Sequence, residues 1–265
     1  MVEILSADLF YTHVAAYMQQ LDPTWDNGDW RTHIATEQAV LVDVLGPANG
    51  RSILDASCGT GRQALALATL GWQVTAVDYT PAAVRIAQDR ARQLDLHVTF
   101  QVGDMRQLST SVPRNFDWAI SCMALDNLLQ DAEIQTAITE LWQVLRPTGR
   151  CYIRLRDFDH LLATRPRYEL REERALPTGR VLRLEDWIYE SDTHVTCIYV
   201  FLHEDQRKTG YRWETTAFGY RRRALQKAEL ARMLRTAGFT DIAFLPQPSP
   251  WSPYAVTATK IENEE

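Results

Sequence analysis

The chain has 265 residues, a formal net charge of -6 and a composition that is 46% hydrophobic, which is sufficient for a sizeable globular core. The acidic balance argues against a long nucleic-acid track. No run approaches the roughly 18 apolar residues of a membrane-spanning helix. The first residues lack a basic stretch followed by an apolar core, so we expect no signal peptide.

The cysteines and histidines indicate neither disulfides nor a metal site. The four cysteines lie far apart and form no Cys-x-x-Cys pair, which predicts reduced, mostly buried thiols and a cytoplasmic protein. The six histidines show no metal-ligand spacing, so we expect no metal.

The first 50 residues are rich in aromatic side chains and show helical periodicity. Residues 30–45 predict a helix with Ile34, Gln38 and Leu41 along one side. Residues 22–29 contain proline, asparagine and glycine, which predict a loop. Two interpretations stay open: a layer that packs on the core, or a helical lid over a bound cofactor and substrate.

Residues 51–80 predict one βαβ unit. Ile53 and Leu54 form a short apolar run, as in a buried parallel strand, which ends at Asp55. A glycine-containing turn and a helical pattern follow, and a second apolar strand ends at Asp78. Such a unit binds a nucleotide-like ligand at the carboxyl ends of its strands.

The residues around the turn indicate which nucleotide it binds. Gly59, Gly61 and Ala64 also fit the dinucleotide fingerprint. A carboxylate at Asp55 would repel a pyrophosphate but suits a cationic amino group. S-adenosylmethionine (SAM) has an ammonium, a sulfonium and no phosphate, so the spacing favours SAM over NAD. Asp78 would accept hydrogen bonds from ribose hydroxyls. An α/β domain whose turn binds nothing is the remaining alternative.

After residue 80, strands and helices continue to alternate up to residue 155, and consecutive strands follow. We predict a helix over 81–94, strands over 98–102 and 116–122, a helix over 134–145 closed by residues 147–149, and a strand over 151–155. Alternating stretches at 180–189, 194–203 and 211–220 predict antiparallel strands with charged residues on one face. A helix over 224–237 and strands over 242–245 and 254–259 close the chain.

These elements predict an α/β fold: a Rossmann-like seven-stranded mixed sheet with an antiparallel β insertion and an N-terminal helical lid. We expect a single domain over 1–265, divided into the lid (1–50), the cofactor-binding core (51–156), the insertion (157–223) and a closing helix with strands (224–265).

Five segments, in order, resemble the class I SAM-dependent methyltransferases: ILDASCGTG, VTAVDYTP, VGDMRQL, FDWAISCMALDNLLQD and LWQVLRPTGR. The resemblance covers nearly the whole chain. Within the class, the chain is most similar to the small-molecule branch near glycine and sarcosine N-methyltransferases. The segments that carry this finer likeness are FYTHVAAY, DWRTHIATEQ, YIRLRDFDHLLATRP and YRRRALQKAEL.

The resemblance implies roles for individual residues. Asp78 would bind the ribose hydroxyls, Tyr79 would flank the adenine, and Asp104 would bind the adenine amino group with Met105 beside it. Arg156 matches an arginine that holds the substrate carboxylate. The other implied positions are Asp55, Ser57, Gly59 and Gly61 at the methionine end, Cys122 and Met123 near the sulfonium, Tyr11 and Trp30 in the aromatic lid, and Tyr220 near the substrate.

The chain departs from the family pattern after the fourth core strand. Met123, or Leu125 in an alternative alignment, stands where glycine-type enzymes have an asparagine, which puts glycine itself in doubt. Arg156 could instead form a salt bridge with Asp157 or Asp159. Tyr220 could equally be a core residue of an antiparallel sheet.

The resemblance therefore implies methyl transfer from SAM to a small acceptor, with S-adenosylhomocysteine as product. The expected acceptor is the amine of an amino-acid-like carboxylate, and no general base is identified. A small-molecule O-methyltransferase of natural-product biosynthesis and a non-catalytic SAM-binding module are the alternatives. We expect no nucleic-acid or membrane partner, and a homo-oligomer stays possible.

Overall fold

A computed structural model describes residues 2–21, 30–176, 179–205, 212–246 and 253–261. The helices are α1 (Ala7–Leu21), α2 (Trp30–Leu45), α3 (Arg62–Thr69), α4 (Pro81–Gln93), α5 (Leu108–Ser111), α6 (Asp131–Val144), α7 (Phe158–Thr164) and α8 (Lys227–Thr236). The strands are β1 (Glu3–Leu5), β2 (Ser52–Asp55), β3 (Gln73–Asp78), β4 (Val98–Val102), β5 (Phe116–Cys122), β6 (Leu145–Leu155), β7 (Tyr168–Leu176), β8 (Gly179–Tyr189), β9 (His194–Asp205), β10 (Arg212–Arg223), β11 (Phe239–Phe244) and β12 (Tyr254–Lys260).

The chain divides into two compact units. The core unit contains Asp29–Asp157 and Gln226–Glu265, and the sheet unit contains Met1–Gly28 and Phe158–Leu225. The first 50 residues, which the sequence suggested were one layer, are therefore split, because α1 belongs to the sheet unit and α2 to the core unit.

The core unit contains a seven-stranded mixed sheet in the order β11-β12-β6-β5-β2-β3-β4. The five strands from β6 to β4 pair in parallel, and β12 and β11 add antiparallel to β6. The Rossmann-like prediction is confirmed. Because β2 lies between β3 and β5, the chain reverses its winding direction there, and this switch point is where open α/β sheets bind ligands.

Helix α2 packs with α3 in the core of this unit. Trp30, Ile34, Leu41 and Leu45 are buried in the same cluster as Leu65 of α3, since they recur at helical spacing. The prediction that Gln38 belongs to this buried stripe was wrong. The buried residue is Glu37, one position earlier.

The sheet unit contains a five-stranded sheet in the order β1-β10-β9-β8-β7. Strands β7 to β10 pair antiparallel, as predicted for the three central stretches, and β1 adds parallel to β10. Strands β1 and β7 and helix α7 were not predicted. Phe10 of α1 packs against Tyr199 and Tyr220, so α1 covers one face of the sheet.

Two further sequence expectations were wrong. Residues 147–149 do not form a loop that closes α6, because α6 ends at Val144 and the chain passes directly into β6. The charged residues of the antiparallel sheet lie on both faces. Arg183 pairs in register with the aromatic residue Phe201 on the face that α1 covers, whereas Arg180 pairs with Glu204 on the opposite face.

Several predictions concern particular residue types or segments. All four cysteines are free and buried. Within the described residues, no cluster of three or more histidine, cysteine or acidic side chains could hold a metal, and no helix there is long and apolar enough to cross a membrane. The predicted loop at 22–29 and most of the proline-rich segment before β12 lie outside the described residues.

Candidate functional site

The candidate site lies at the carboxyl edge of the core sheet. Parallel strands end at the same edge, so Asp55, Asp78 and Cys122, the last residues of β2, β3 and β5, are brought together there. Arg156 follows the end of β6 at this edge. All four residues belong to the core unit.

The turn after β2 is tied to both neighbouring strands. The Ala56 N–H donates to the Ile120 carbonyl of β5 and the Cys58 N–H to the Val77 carbonyl of β3, each at 2.9 Å. The Gly59 N–H donates to Asp78 Oδ2 at 2.8 Å. These bonds fix the turn between the strand ends before any ligand binds.

The two glycines of the turn serve different purposes. Both have positive φ angles, which disfavour any side chain. A Cβ at Gly59 would meet no atom within 4 Å, so the glycine leaves open space at the site. A Cβ at Gly61 would lie 3.0 Å from the Ala87 Cβ and 3.3 Å from its Cα. Gly61 therefore permits close packing of the turn against α4.

Asp55 has the electrostatic environment of a cation-binding group. It is fully buried, and its Oδ1 accepts a 3.3 Å bond from the Ser57 N–H. Among the described residues its Oδ2 has no hydrogen-bond partner. Burial and, to a smaller extent, the nearby carboxylates of Asp78 and Glu37 raise the pKa of Asp55 to about 7. A buried carboxylate of this kind is stabilised by a cation placed at its open oxygen, and the ammonium of SAM fits this requirement.

The Asp78 carboxylate is bonded to the turn and can accept further hydrogen bonds from a ligand. Its Oδ1 accepts a bond from the Thr80 N–H at 2.9 Å and its Oδ2 the bond from Gly59. Each carboxylate oxygen can accept a second hydrogen bond. The adjacent Tyr79 ring is 52% exposed. Both residues are therefore compatible with the predicted contacts to ribose and adenine.

Asp104 is engaged by a neighbouring arginine. Arg106 Nε donates to both carboxylate oxygens of Asp104 at 3.0 Å. Arg106 Nη2 donates to Oδ2 at 2.6 Å, and the Arg106 backbone N–H donates to Oδ1 at 2.8 Å. These bonds lower the pKa of Asp104. Arg106 also pairs with Glu133. The predicted contact of Asp104 with the adenine amino group requires Arg106 to give up part of this bonding. Met105, beside Asp104, is half-buried.

The end of β5 combines buried polar groups with an unusual backbone conformation. The Ser121 hydroxyl lies 3.3 Å from the Ser57 hydroxyl. Burial raises the pKa of the Cys122 thiol to about 12, so this thiol is protonated at neutral pH. Met123 has φ +59°, which is uncommon for a non-glycine residue, and its N–H donates to the Arg154 carbonyl at 2.7 Å.

A buried charge cluster beside Asp55 was missed by the sequence analysis. Arg154 donates from both terminal nitrogens to the Glu37 carboxylate, at 2.9 and 2.7 Å. Arg62 approaches the same carboxylate at 3.7 Å and lies 3.3 Å from His33 Nδ1. One acid therefore lies between two guanidinium groups. The available signal was a glutamate within the apolar stripe of α2, at a position where burial without a partner would be costly.

Arg156 is half-buried at the position predicted for substrate binding. Asp157, one of its proposed salt-bridge partners, is buried and accepts a 2.7 Å bond from the Lys227 ammonium. The Asp157 carboxylate is therefore paired with the Lys227 ammonium of α8, and Asp157 is also the residue that follows Arg156 in the sequence.

The predicted aromatic residues are distributed between the two units. Trp30 is buried in the core unit, where the Arg31 and Arg90 guanidinium groups lie 4.3 and 5.2 Å from its ring centroid. Tyr11 and Tyr220 belong to the sheet unit, where their hydroxyls are 3.0 Å apart. Tyr220 is fully buried, and its ring packs against Phe10. The ligand-binding roles of these residues stay predictions.

We predict that Glu37→Gln lowers the free energy of unfolding by about 3 kcal/mol, because it leaves the Arg154 guanidinium buried without its carboxylate. Urea denaturation measures the change. The double variant Glu37→Met, Arg154→Met should recover most of the loss, since neither charge then remains.

The matched control is the exposed ion pair between Asp89 and Arg92 of α4. Arg92→Gln should change the unfolding free energy by less than about 1 kcal/mol, as is usual for surface pairs. Equal losses for Glu37→Gln and Arg92→Gln would show that burial does not strengthen the Glu37 pair.

Comparison with known proteins agrees with this geometry. Residues 53–149 match a family model described as a methyltransferase domain. The chain is 27% identical over 149 residues to a glycine/sarcosine N-methyltransferase of Parasynechococcus marenigrum (strain WH8102), which covers 55% of this chain and 52% of that protein. It is 32% identical over 108 residues to a ubiquinone biosynthesis O-methyltransferase of Xylella fastidiosa (strain 9a5c), covering 40% and 42%. The chain thus spans about half, or less, of the length of these relatives.

Solved structures show the same fold at low sequence identity. A SAM-dependent methyltransferase from Clostridium acetobutylicum superposes with a TM-score of 0.66 at 14% identity, covering 96% of this chain and 100% of that one. A SAM-bound amino pentose methyltransferase from Micromonospora echinaspora gives 0.68 at 18% identity, covering 94% and 96%. Residues 53–149 thus match a methyltransferase domain, and the chain shares the fold of solved SAM-dependent methyltransferases.

Proposed function

We propose that this chain transfers a methyl group from SAM to a small-molecule acceptor, and that the acceptor is the amine of an amino-acid-like carboxylate. The observation that carries the proposal is the buried Asp55 carboxylate, whose Oδ2 has no partner among the described residues and lies at the glycine turn. A ligand whose ammonium group binds Asp55 Oδ2 would supply the missing partner of this carboxylate.

The methionine end of SAM is zwitterionic, and the cluster at the turn offers a group for each charge. Asp55 takes the ammonium. Arg62 takes the carboxylate, because its side chain is 43% exposed and it shares the single acid Glu37 with the more deeply buried Arg154. Burial lowers the pKa of Arg62 even with Glu37 nearby, and an additional anion would stabilise its charge.

The adenosine end would lie along the ends of β3 and β4. Asp78 accepts hydrogen bonds from the ribose hydroxyls, and the exposed Tyr79 ring flanks the adenine. Asp104 and Met105 contact the far edge of the base once Arg106 shares the Asp104 carboxylate. Of these side chains, Asp78 is bonded directly to the glycine turn.

Bound SAM supplies an activated methyl group on a sulfonium, which is a good leaving group. The residues of this chain then have to align the acceptor with the methyl carbon and exclude water. No general base is assigned. The Cys122 thiol at the edge is unsuited to that role, because burial raises its pKa to about 12. The acceptor amine must reach the site unprotonated, and a nearby cation lowers its pKa.

The acceptor class rests on Arg156. A guanidinium at the carboxyl edge can bind a carboxylate through two parallel hydrogen bonds. The glycine/sarcosine N-methyltransferase similarity supports an amino-acid-like acceptor, whereas the ubiquinone biosynthesis relative is an O-methyltransferase. Met123 provides no amide at the end of β5, so we expect an acceptor other than glycine.

We predict that the affinity for S-adenosylhomocysteine rises with pH up to about 7 and then levels off. The ligand ammonium favours ionised Asp55, whose pKa without ligand is about 7, so binding below that pH must displace a proton. The facing groups are the Asp78 and Glu37 carboxylates, which raise this pKa, and the N–H groups of Ser57 and Ala64, which lower it. Calorimetry from pH 5.5 to 8.5 should show Kd increasing by up to about tenfold per unit below 7.

Two variants separate this effect from general pH sensitivity. Asp55→Asn should bind about 10- to 100-fold more weakly at pH 8, because a charge-assisted bond is lost, and its Kd should not vary with pH through Asp55. Asp78→Asn should also bind weakly but keep a pH-dependent Kd, with the midpoint shifted down since one neighbouring carboxylate is gone. An unchanged pH profile in Asp55→Asn would remove Asp55 from the ligand site.

We predict that Arg62 selects the carboxylate of SAM. The wild type should bind SAM about 10-fold or more tightly than decarboxylated SAM, which lacks that group, since a charge-assisted bond is lost with it. In Arg62→Gln the two ligands should bind with nearly equal affinity. Arg31→Gln is the matched control, because Arg31 is an exposed arginine on α2, and it should keep the preference. A full preference in Arg62→Gln would assign the carboxylate to another residue.

We predict that Arg156 selects an acceptor that carries a carboxylate. With methyl-labelled SAM, the wild type should methylate an amino acid faster than its amide. Arg156→Lys keeps the charge but loses the planar fork, so the acceptor KM should still rise strongly, and the affinity for SAM should stay nearly constant.

Equal turnover of the acid and the amide by the wild type, or an unchanged preference in Arg156→Ala, would contradict the carboxylate assignment. Labelled product on a phenolic or carboxylic oxygen would then favour the O-methyltransferase alternative. Tight SAM binding with no product from any acceptor would indicate the non-catalytic module.

A further inference from the structure

The chain turns directly after the end of β5. Met123 follows the last residue of the strand and has φ +59°, a left-handed conformation that a non-glycine residue adopts at an energetic cost. Its N–H still donates to the Arg154 carbonyl of β6 at 2.7 Å, so the sheet reaches this residue. Residues in such conformations cluster at ligand sites, where the surrounding structure fixes them. The residues after Met123 therefore leave the sheet at its carboxyl edge, where open α/β sheets bind ligands.

A short 3₁₀ helix, Leu125–Asn127, follows this turn. The Asn127 N–H donates to the Ala124 carbonyl at 2.9 Å, and the side chains of Leu125 and Asp126 are fully buried. Asn127 itself is half-buried. The backbone and the two buried side chains thus fix the helix, and Asn127 has a defined position beyond the end of β5.

The Asn127 carboxamide has an oxygen that lacks a hydrogen bond. This oxygen, Oδ1, is buried and has no partner in the part of the chain that the structure describes. Buried polar atoms are normally bonded, because an oxygen that has lost its bonds to water is destabilised without a new donor. The terminal torsion of an asparagine is broad, so a rotation of the amide can direct Oδ1 toward a bound molecule. A ligand N–H or O–H would supply the missing donor.

Two such oxygens follow neighbouring strands of the core sheet. Asp55 ends β2, Asn127 follows β5, and these two strands pair in parallel. The hydroxyls of Ser57 and Ser121, 3.3 Å apart, join the glycine turn to the end of β5. The carboxylate of Asp55 suits a cation, whereas the neutral amide of Asn127 also accepts a bond from an uncharged N–H. The pair therefore matches a cationic cofactor beside a neutral amine.

We propose that Asn127 Oδ1 accepts a hydrogen bond from the acceptor amine, and that this bond restricts the enzyme to amines with at least one N–H. The inference rests on the proposed function, because it concerns the acceptor of the same reaction. It goes beyond that function in naming the group that binds the reacting nitrogen and the product at which methylation stops.

The proposed bond strengthens during the reaction. The amine lone pair forms the new N–C bond, and the C–S bond of SAM breaks with its electrons passing to sulfur, which yields S-adenosylhomocysteine. The nitrogen becomes positively charged and then releases one proton to water. An amide oxygen is the negative end of a dipole, so its bond to the N–H becomes charge-assisted as this charge develops. Asn127 should therefore act mainly on kcat.

The number of N–H groups on the acceptor determines whether this bond can form. Primary and secondary amines have an N–H to donate while the lone pair points at the methyl carbon, whereas a neutral tertiary amine has none. A site built to bond a substrate N–H discriminates strongly against an analogue that lacks it. Methylation should therefore stop at the tertiary amine, without formation of a quaternary ammonium.

Transfer from methyl-labelled SAM to α-amino acids, each also supplied as its N-methyl and N,N-dimethyl derivative, tests the inference. For the best amino acid, the wild type should show a kcat/KM at least about 100-fold higher for the N-methyl than for the N,N-dimethyl form. Asn127→Leu should lower kcat on the N-methyl form by about 10- to 100-fold and reduce this ratio below about 10. The affinity for S-adenosylhomocysteine should change by less than about threefold, since Asn127 is assigned to the acceptor.

Two variants and a stability measurement separate this role from a structural one. Asn127→Asp keeps an oxygen in a side chain of the same shape and should keep most of the preference. Gln130→Leu is the matched control, because Gln130 is an exposed amide of the same segment whose side chain makes no capping bond, and it should change neither rate. Asn127→Leu replaces an unsatisfied polar group by an apolar one of similar size, so the urea midpoint of unfolding should not fall.

The outcomes distinguish this inference from the proposed function. Comparable transfer to the N-methyl and N,N-dimethyl forms by the wild type, or an unchanged ratio in Asn127→Leu, would overturn the role of Asn127 and leave the proposed function intact. The wild-type comparison decides even if Asn127→Leu does not fold. Absence of label from every amine would contradict the proposed function and this inference together.

Discussion

The fully buried Asp55 carboxylate is the interaction on which the site depends. Its strand ends at the switch point of the sheet, where the backbone of the next residues is bound to β5 on one side and β3 on the other. A carboxylate in that environment is destabilised by lost hydration and by the neighbouring Asp78 and Glu37. The SAM ammonium that we propose for this site would compensate all three effects.

The adjacent charge cluster keeps this arrangement compatible with folding. Glu37 would add to the repulsion around Asp55 if it were unpaired, but the Arg154 guanidinium binds it through two short bonds. Arg62 extends the cluster toward solvent and leaves a cation available at the turn. The chain therefore separates a structural ion pair, which stabilises the fold, from the charges that we assign to the ligand.

In the sheet unit, the five-stranded sheet has two faces, and α1 covers one of them. On the covered face, Phe10 packs with Tyr199 and Tyr220. On the opposite face, aliphatic side chains in register leave an apolar surface bordered by closed ion pairs.

The sequence by itself determined the parts of this protein that depend on neighbouring residues. The run from Ile53 to Asp78 predicted the βαβ unit and the edge at which a ligand binds, because strand ends, turn glycines and helix period all lie within 30 consecutive residues. The βα alternation also predicted the succession of strands and helices along the core unit, whereas the order β11-β12-β6-β5-β2-β3-β4 within the sheet came from the structure. The resemblance to class I methyltransferases rested on those same local segments.

Only the tertiary structure decided which charges meet. Glu37 and Arg154 are 117 residues apart, so no local pattern connects them. The bonds between Asp104 and Arg106 depend on a side-chain conformation, and the split of the N-terminal residues between two units depends on where α1 finds an apolar face. The side chains of β7, β8 and β9 that share a face emerged only with the register of these strands, since a strand sequence alternates in the same way whichever of its two faces is covered.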